Sequence, residues 1–145
     1  MWEIYEHRTL VKRLSRIPDE VLKRYEKWKD IVAISGPDGL RQIKGFHDEA
    51  LQGEWKGHRM KDYRKAQKTI EVSVGESVRI MRELQELSQT DLAKLTGIPQ
   101  STISGIENDR INLGVERAKT LARALKCHPA VLVFPGWEIK SLEAA

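Results

Sequence analysis

Short polar side chains are grouped in the stretch SQTDLAKLTGIPQSTISGIENDR, residues 88–110. Gln100, Ser101 and Thr102 follow a proline, so they would place amide and hydroxyl groups at the exposed start of a helix. Such groups can hydrogen-bond to the edges of bases, and the N–H groups at a helix N-terminus favour nearby phosphates. The chemistry predicted here is hydrogen bonding by a helix that enters the major groove of DNA with its N-terminus first.

A second helix is expected just before this one, to hold it in place. Ser88 is predicted as its N-cap, with Asp91 three residues later in a capping-box arrangement. Leu92 and Leu95 are expected to face inward, and Gly97 to end the helix in a tight turn. The two helices would then form a compact pair.

Further helices are predicted around this pair, which gives an all-α, five-helix unit over residues 74–145. The helix of Gln100 should bury Ile103 and Ile106 and close at Asn108 and Asp109. A tract broken by His128-Pro129 is expected to end the unit with a short helix or an apolar turn. The flanking helices are expected to bury Val78, Met81 and Leu84 before the pair, and Val115, Ala118, Leu121, Ala122 and Leu125 after it.

The pattern resembles the helix-turn-helix of the phage Cro and repressor type, also called the Xre type, from about residue 75 to residue 134. This resemblance implies a double-stranded DNA operator as the partner. The matching positions are Leu87, Ser88, Gln89, Leu92, Ala93, Gly97, Ile98, residues 101–104, Ile106, Glu107 and Asn108.

The resemblance also implies roles for individual side chains. Gln89 should contact a phosphate and brace Gln100. The base-facing residues would be Gln100, Ser101 and Ser104, and the backbone-holding residues Thr102, Asn108 and Arg110. The alternative is that Gln89 and Gln100 are surface residues or helix caps, and that Arg110 pairs with Asp109 or Glu107.

Two positions depart from the pattern of the resembled family. Gly105 stands where many relatives carry a large base-reading side chain, so one base contact should be absent. Asp109 replaces a common glycine and should place a negative charge near DNA.

The tail VERAKTLARALKCHPAVLVFPGW resembles the end of a HigA-type antitoxin, a dimeric repressor of its own operon. That resemblance implies a homodimer and a cognate RelE/HigB-like toxin as a possible partner. The candidate dimerisation residues are Val131, Val133, Phe134 and Trp137, which could equally close the monomer core. A dimer is also expected because a single helix-turn-helix buries little surface against DNA. Two of them on a palindromic operator bury twice as much.

The first 59 residues predict a β-α-α-β-β, α+β layer. WEIYEH alternates like a strand, and a helix should follow from Thr9. Val21, Tyr25, Trp28 and Val32 are spaced as the apolar face of a second helix. SGPDG should stop that helix, and LRQI and GEWKGHR are candidate strands.

This layout resembles a truncated RelE/HigB-like ribonuclease toxin. The matching positions are residues 2–7, Leu10, Leu14, Ile17, Pro18, Gly39, Leu40, His47, Leu51, Gly53, Trp55 and Arg59. Because the family's later strands would be missing, no catalytic residue is assigned and the chain is not expected to be an enzyme. His47, His58 and Arg59 remain candidates for acid/base or phosphate contacts. The alternatives are a fused toxin–antitoxin that cleaves mRNA, or a module that binds a partner protein.

Composition sets the remaining expectations. The chain has 145 residues, 40% of them hydrophobic and 32% charged, with one cysteine, Cys127, that is expected to be packed. No apolar run approaches the length of a membrane span, and a single cysteine excludes an internal disulfide and a thiolate zinc cluster. A cytoplasmic protein is therefore expected, and no cofactor or metal is assigned. Residues 1–59 hold 12 Lys and Arg against 10 Asp and Glu, and residues 60–145 hold 13 against 11, so net charge argues weakly for nucleic acid.

The predicted organisation is a toxin-like segment at 1–59, a basic linker or arm at 60–73, and a helix-turn-helix domain at 74–145. Met60 would be a former initiator at the join. The tract KDYRKAQK is either an arm that touches the DNA backbone or a solvated linker.

Overall fold

The computed structural model describes residues 1–46 and 62–137. Two short strands and seven helices occur in these ranges. Their bounds are β1 Tyr5–His7, α1 Arg8–Leu14, α2 Asp19–Leu40, β2 Tyr63–Lys65, α3 Val74–Leu84, α4 Gln89–Thr96, α5 Gln100–Glu107, α6 Val115–Leu125 and α7 Pro129–Val133.

The five C-terminal helices, α3 to α7, confirm the predicted all-α unit. Ser88 caps α4 in a capping box with Asp91, as its spacing indicates. Gly97 ends α4 with φ 73°, a left-handed conformation that glycine adopts without strain. The tract after His128 is the short helix α7. The predicted core residues Val78, Met81, Leu92, Ile103, Ile106, Ala118, Leu121, Ala122 and Leu125 are all buried.

Two of the predicted core positions are wrong. Leu95 is 62% exposed, because the inner face of α4 runs through Gln89, Leu92 and Thr96 and excludes it. Val115 is 69% exposed, because it is the first residue of α6 and the buried face begins one turn later at Ala118.

Helix α2 buries Val32 and packs Trp28 against the core, as predicted, but it buries charged residues as well. Val21 is 51% exposed, whereas Glu26, Lys27 and Lys29 are buried. The buried charges pair with one another or with neighbouring helices; the Lys29 ammonium, for example, lies 2.9 Å from Glu26. Apolar periodicity therefore marked part of the packed side of this helix, but it was wrong at Val21 and did not identify the buried charges.

The SGPDG stretch interrupts α2, as predicted, and a second helical segment follows the break. Gly36 breaks the helical backbone with φ 68° and ψ −174°, and a further turn continues to Leu40. The predicted strand LRQI is wrong, since residues 41–46 form turns that bury Ile43.

The two strands form an antiparallel sheet with Tyr5 opposite Lys65 and His7 opposite Tyr63. Strand β2 lies in the tract expected to be a linker, so that tract is ordered by pairing with the start of the chain. The predicted strand GEWKGHR and Met60 lie outside the described residues. The RelE-like fragment therefore stays a prediction.

One hydrophobic core spans both parts of the chain. Ile31 and Val32 of α2 pack in the same cluster as Met81 and Leu125. The buried Lys27 ammonium donates to Ser77 Oγ of α3 at 3.0 Å and to the Val131 carbonyl of α7 at 2.8 Å. The boundaries at 59 and 73 remain predictions, but α2 is packed against the helix-turn-helix helices.

Candidate nucleic-acid interface

The turn between α4 and α5 fixes how the second helix is presented. The Gly97 N–H donates to the Ala93 carbonyl at 2.9 Å, and the Thr96 hydroxyl accepts the Ile98 N–H at 3.2 Å. Pro99 then occupies the N-cap of α5, and its carbonyl accepts from Thr102 and Ile103. The first turn of α5 is therefore held at the surface by backbone and hydroxyl contacts.

A chain of hydrogen bonds runs beneath the exposed end of α5. Gln100 Nε2 donates to Gln89 Oε1 at 2.7 Å, which is the bracing contact that the resemblance implies. Gln89 Nε2 donates in turn to Glu107 Oε2 at 2.8 Å. Both amides are therefore oriented by neighbours as well as exposed to a partner.

Arg82 anchors this chain in the core and was missed by the sequence reasoning. Its Nε lies 2.6 Å from Glu107 Oε1, a second nitrogen lies 3.0 Å from Glu107 Oε2, and a third donates to the Leu87 carbonyl at 2.8 Å. The Glu107 side chain is 2% exposed and that of Arg82 12% exposed. A buried carboxylate needs a cation, and an arginine on α3, two helices earlier, was the signal that could have suggested the pair.

The remaining predicted contact residues line the same surface to different extents. Ser101, Asn108 and Arg110 are exposed, and Thr102 and Ser104 are half-buried. Asn108 uses its Nδ2 to cap the helix, donating to the Ser104 carbonyl at 2.7 Å. Its amide oxygen and its second Nδ2 hydrogen are left to face a partner.

The predicted alternative partners of Arg110 are both occupied elsewhere. Glu107 is paired with Arg82, and the Asp109 carboxylate accepts the Gly75 N–H at 2.8 Å and the Ser73 hydroxyl at 2.5 Å. Within the described ranges, Arg110 has no carboxylate at ion-pair distance.

The expectations for Gly105 and Asp109 need correction. Gly105 is buried, and an added Cβ would lie 2.5 Å from Ile111 Cδ1, so this position packs inward and is not a vacated base contact. Asp109 caps the N-terminus of α3, where the helix dipole favours a carboxylate. Its charge is held by that helix end and is not directed at a partner.

The four proposed dimerisation residues do not share one environment. Val131 is completely buried in the monomer, so it is not available to a second subunit. Val133 is half-buried, whereas Phe134 and Trp137 are exposed and lie with ring centroids 6.4 Å apart. Only the two aromatic residues present large apolar surface.

Other reactive side chains take structural roles or lie outside the described ranges. Burial raises the pKa of Cys127 to about 12, as expected of a packed thiol. His128 caps α7, with Nδ1 accepting the Ala130 N–H at 3.1 Å. His47, His58 and Arg59 lie outside the described residues. In residues 1–46 and 62–137, no group of His, Cys, Asp and Glu side chains could hold a metal ion, and no helix there is long and apolar enough to cross a membrane.

This geometry defines a helix-turn-helix, and comparison with known proteins agrees. Residues 78–132 match the helix-turn-helix family HTH_3, so this part of the chain is a helix-turn-helix domain of the Xre/Cro type. The match supports a DNA-binding transcriptional regulator.

One solved structure and the curated proteins complete the comparison. The restriction-modification controller protein C.AhdI from Aeromonas hydrophila is 34% identical, with a TM-score of 0.40, over 41% of this chain and 89% of that chain. No curated protein matches the chain significantly.

Proposed function

We propose that this protein is a sequence-specific DNA-binding repressor that places α5 in the major groove. The observation that carries the proposal is the hydrogen-bonded series from Arg82 through Glu107 and Gln89 to Gln100. It orients the side-chain amides of Gln89 and Gln100 near the N-terminus of α5, where a recognition helix meets base edges. Preorganised donors lose less conformational freedom on binding than mobile ones.

Each exposed polar residue then has a specific task. Gln100 and Ser101 meet base edges, where one good bidentate pair contributes about 1–3 kcal/mol of discrimination. Ser104 lies one turn further along the same helix and faces the same groove. The residues that contact phosphates and fix the register are Gln89, Thr102, Asn108 and Arg110.

Repression would be steric and dimeric. Two heads would occupy a pseudo-palindrome, with half-sites about one helical turn, 10–10.5 bp, apart. Phe134 and Trp137 are the described members of the predicted dimer contact that remain exposed. They are therefore our candidates for pairing two subunits.

At the finer level, we propose a HigA-type antitoxin that regulates its own toxin–antitoxin operon in the cytoplasm and binds a RelE/HigB-like toxin. The support is the sequence resemblance of the tail and of residues 1–59. We further propose that the first segment does not cleave RNA. In the described ranges, β1 pairs only with β2, which comes from the tract after the toxin-like segment.

Selection from a pool of random DNA duplexes tests the DNA-binding function. We expect the full chain to enrich one pseudo-palindromic sequence, and the DNA upstream of its own gene to contain it. Enrichment of no sequence, together with no mobility shift of that upstream DNA, would overturn the proposal. Enrichment of a sequence that does not occur in the DNA upstream of its own gene would support DNA recognition but contradict autoregulation.

A further inference from the structure

The basic residues of α1 stand apart from those of the neighbouring helices. Residues 7–18, HRTLVKRLSRIP, contain four Lys and Arg and no Asp or Glu. Arg8, Lys12 and Arg16 recur every four residues, and Arg13 lies beside them. All four side chains are exposed, whereas Leu14 points inward and is 5% exposed. Helix α1 is thus apolar on one side and cationic on the other.

Carboxylates neutralise the cations of α2 and α3, in contrast to Lys12, Arg13 and Arg16. The pairs that join α2 to α3 are Lys23 with Glu76, Arg24 with Glu83 and Arg79 with Glu20. In the part of the chain that the structure describes, Lys12, Arg13 and Arg16 have no carboxylate within ion-pair distance. This contrast leaves a concentrated positive surface on a protein whose net charge is only +4.

Helix capping explains only part of this surface. Cations in the last turn of a helix are favourable because of the helix dipole, and Lys12 and Arg13 occupy that turn of α1. Arg16 lies beyond the C-cap Ser15, and Arg8 is at the opposite end of the helix, where a cation is unfavourable. A role in helix stability therefore does not account for the set.

The fold brings the start of α2 and the end of the recognition helix to the same end of α3. The start of α2, which follows α1, contacts the first two turns of α3 through Glu20 and Arg79, 3.3 Å apart. The first turn of α3 is also bound by Asp109, next to Arg110. Glu20 and Asp109 are engaged in these contacts, so they repel a polyanion less than free carboxylates would.

We propose that the cationic surface of α1 and of the turn after it, formed by Lys12, Arg13 and Arg16, binds the phosphate backbone of duplex DNA beside the sequence that α5 reads. The inference rests on the proposed DNA-binding function. Charge complementarity identifies the ligand, because side chains that neutralise phosphates release condensed counterions and add affinity without adding sequence preference. The first segment would then extend the DNA footprint.

The salt dependence of binding measures these contacts directly. The triple variant Lys12→Gln, Arg13→Gln, Arg16→Gln is compared with the wild type on the selected duplex, with and without flanks of about one helical turn, 10 bp. Each lost phosphate contact flattens the slope of log K against log salt by about 0.9. For the triple variant, we expect the slope on the flanked duplex to be flatter than that of the wild type by about 2–3. The slope on the unflanked duplex should change little.

Two further variants make the result specific. Arg41→Gln, Lys44→Gln, Arg123→Gln removes the same charge from exposed positions outside residues 7–18, and should leave both slopes unchanged. Arg16→Gln alone changes one exposed residue outside a helix and should flatten the slope on the flanked duplex by about 1. Equal slopes for the wild type and the α1 triple variant on the flanked duplex would overturn the proposal.

Binding to random-sequence duplex and to single-stranded RNA distinguishes failure of the proposed function from failure of the α1 proposal. If the wild type selects no sequence, the proposed function fails, yet the α1 surface is still tested by slopes on random duplex. Weaker binding of the α1 variant to random duplex would then support the surface, and unchanged binding would overturn it. If the α1 triple variant loses binding to single-stranded RNA but binds duplex DNA as the wild type does, the proposal is overturned and RNA is identified as the ligand.

Discussion

At the scale of single residues, the interface depends on Arg82, a largely buried side chain that lies beneath the exposed residues. Arg82 holds Glu107, Glu107 holds Gln89, and Gln89 holds Gln100. The contact between the two glutamines was expected from sequence resemblance, and it is present. The buried pair beneath them was not expected, because pairing between helices depends on a packing angle that periodicity does not give.

Breaking the buried pair should therefore cost stability. Arg82→Ala leaves the Glu107 carboxylate buried and unpaired, so we expect the free energy of unfolding in urea to fall by about 3 kcal/mol. Arg123→Ala, at an exposed position on α6, is the matched control and should change it by less than about 0.5 kcal/mol. Equal effects of the two substitutions would show that the pair does not anchor the fold.

At the scale of elements, the N-terminus of α4 is the best-defined local feature. The Ser88 hydroxyl accepts the Asp91 N–H at 3.0 Å and donates to the Asp91 carboxylate at 2.7 Å. These hydrogen bonds lower the pKa of Asp91 below its ordinary value of 3.8. Because the pKa is lower in the folded state, the carboxylate stabilises the fold above pH 3.8, and this contribution is lost as pH falls through the folded value.

The capping box gives a prediction with a defined pH window. Ser88→Ala should lower the free energy of unfolding at neutral pH by about 1 kcal/mol. Asp91→Asn should also be less stable than the wild type at neutral pH, but the difference should shrink below pH 4 because the wild-type carboxylate becomes protonated. Urea unfolding at several pH values measures both effects. A difference between wild type and Asp91→Asn that grows as pH falls would contradict the assignment.

The sequence was informative about elements wherever local signals decide them. Ser88 with Asp91, Gly97 and His128-Pro129 each specify a helix end through their own side chain or backbone. It was least informative about α2, where Lys27 is buried by contacts with distant helices. Within the interface, the exposed amide of Gln100 could be predicted, whereas the inward packing of Gly105 depends on Ile111 and could not.

At the scale of the whole molecule, the first segment and the helix-turn-helix helices share packing. Burial lowers the pKa of the Lys27 ammonium, while Asp30, 2.7 Å away, favours its charge. The same ammonium bonds to α3 and α7, so α2 is joined to both helices. The Asp30 carboxylate also accepts the Gly136 N–H at 3.1 Å, which joins α2 to the segment after α7. The recognition helix is thus carried by a body to which the N-terminal segment contributes.

The most direct test of the central claim is the ratio of affinities for the selected duplex and for a scrambled one, at one salt concentration. For the wild type we expect a ratio of about 10³ or more. Gln100→Ala with Ser101→Ala should lower that ratio at least about tenfold, since base-edge contacts are lost, and leave affinity for the scrambled duplex nearly unchanged. Gln42→Ala with Ser35→Ala removes the same groups from exposed positions outside the interface and should keep the wild-type ratio. An unchanged ratio for the Gln100 and Ser101 variant would contradict the claim that α5 reads the sequence.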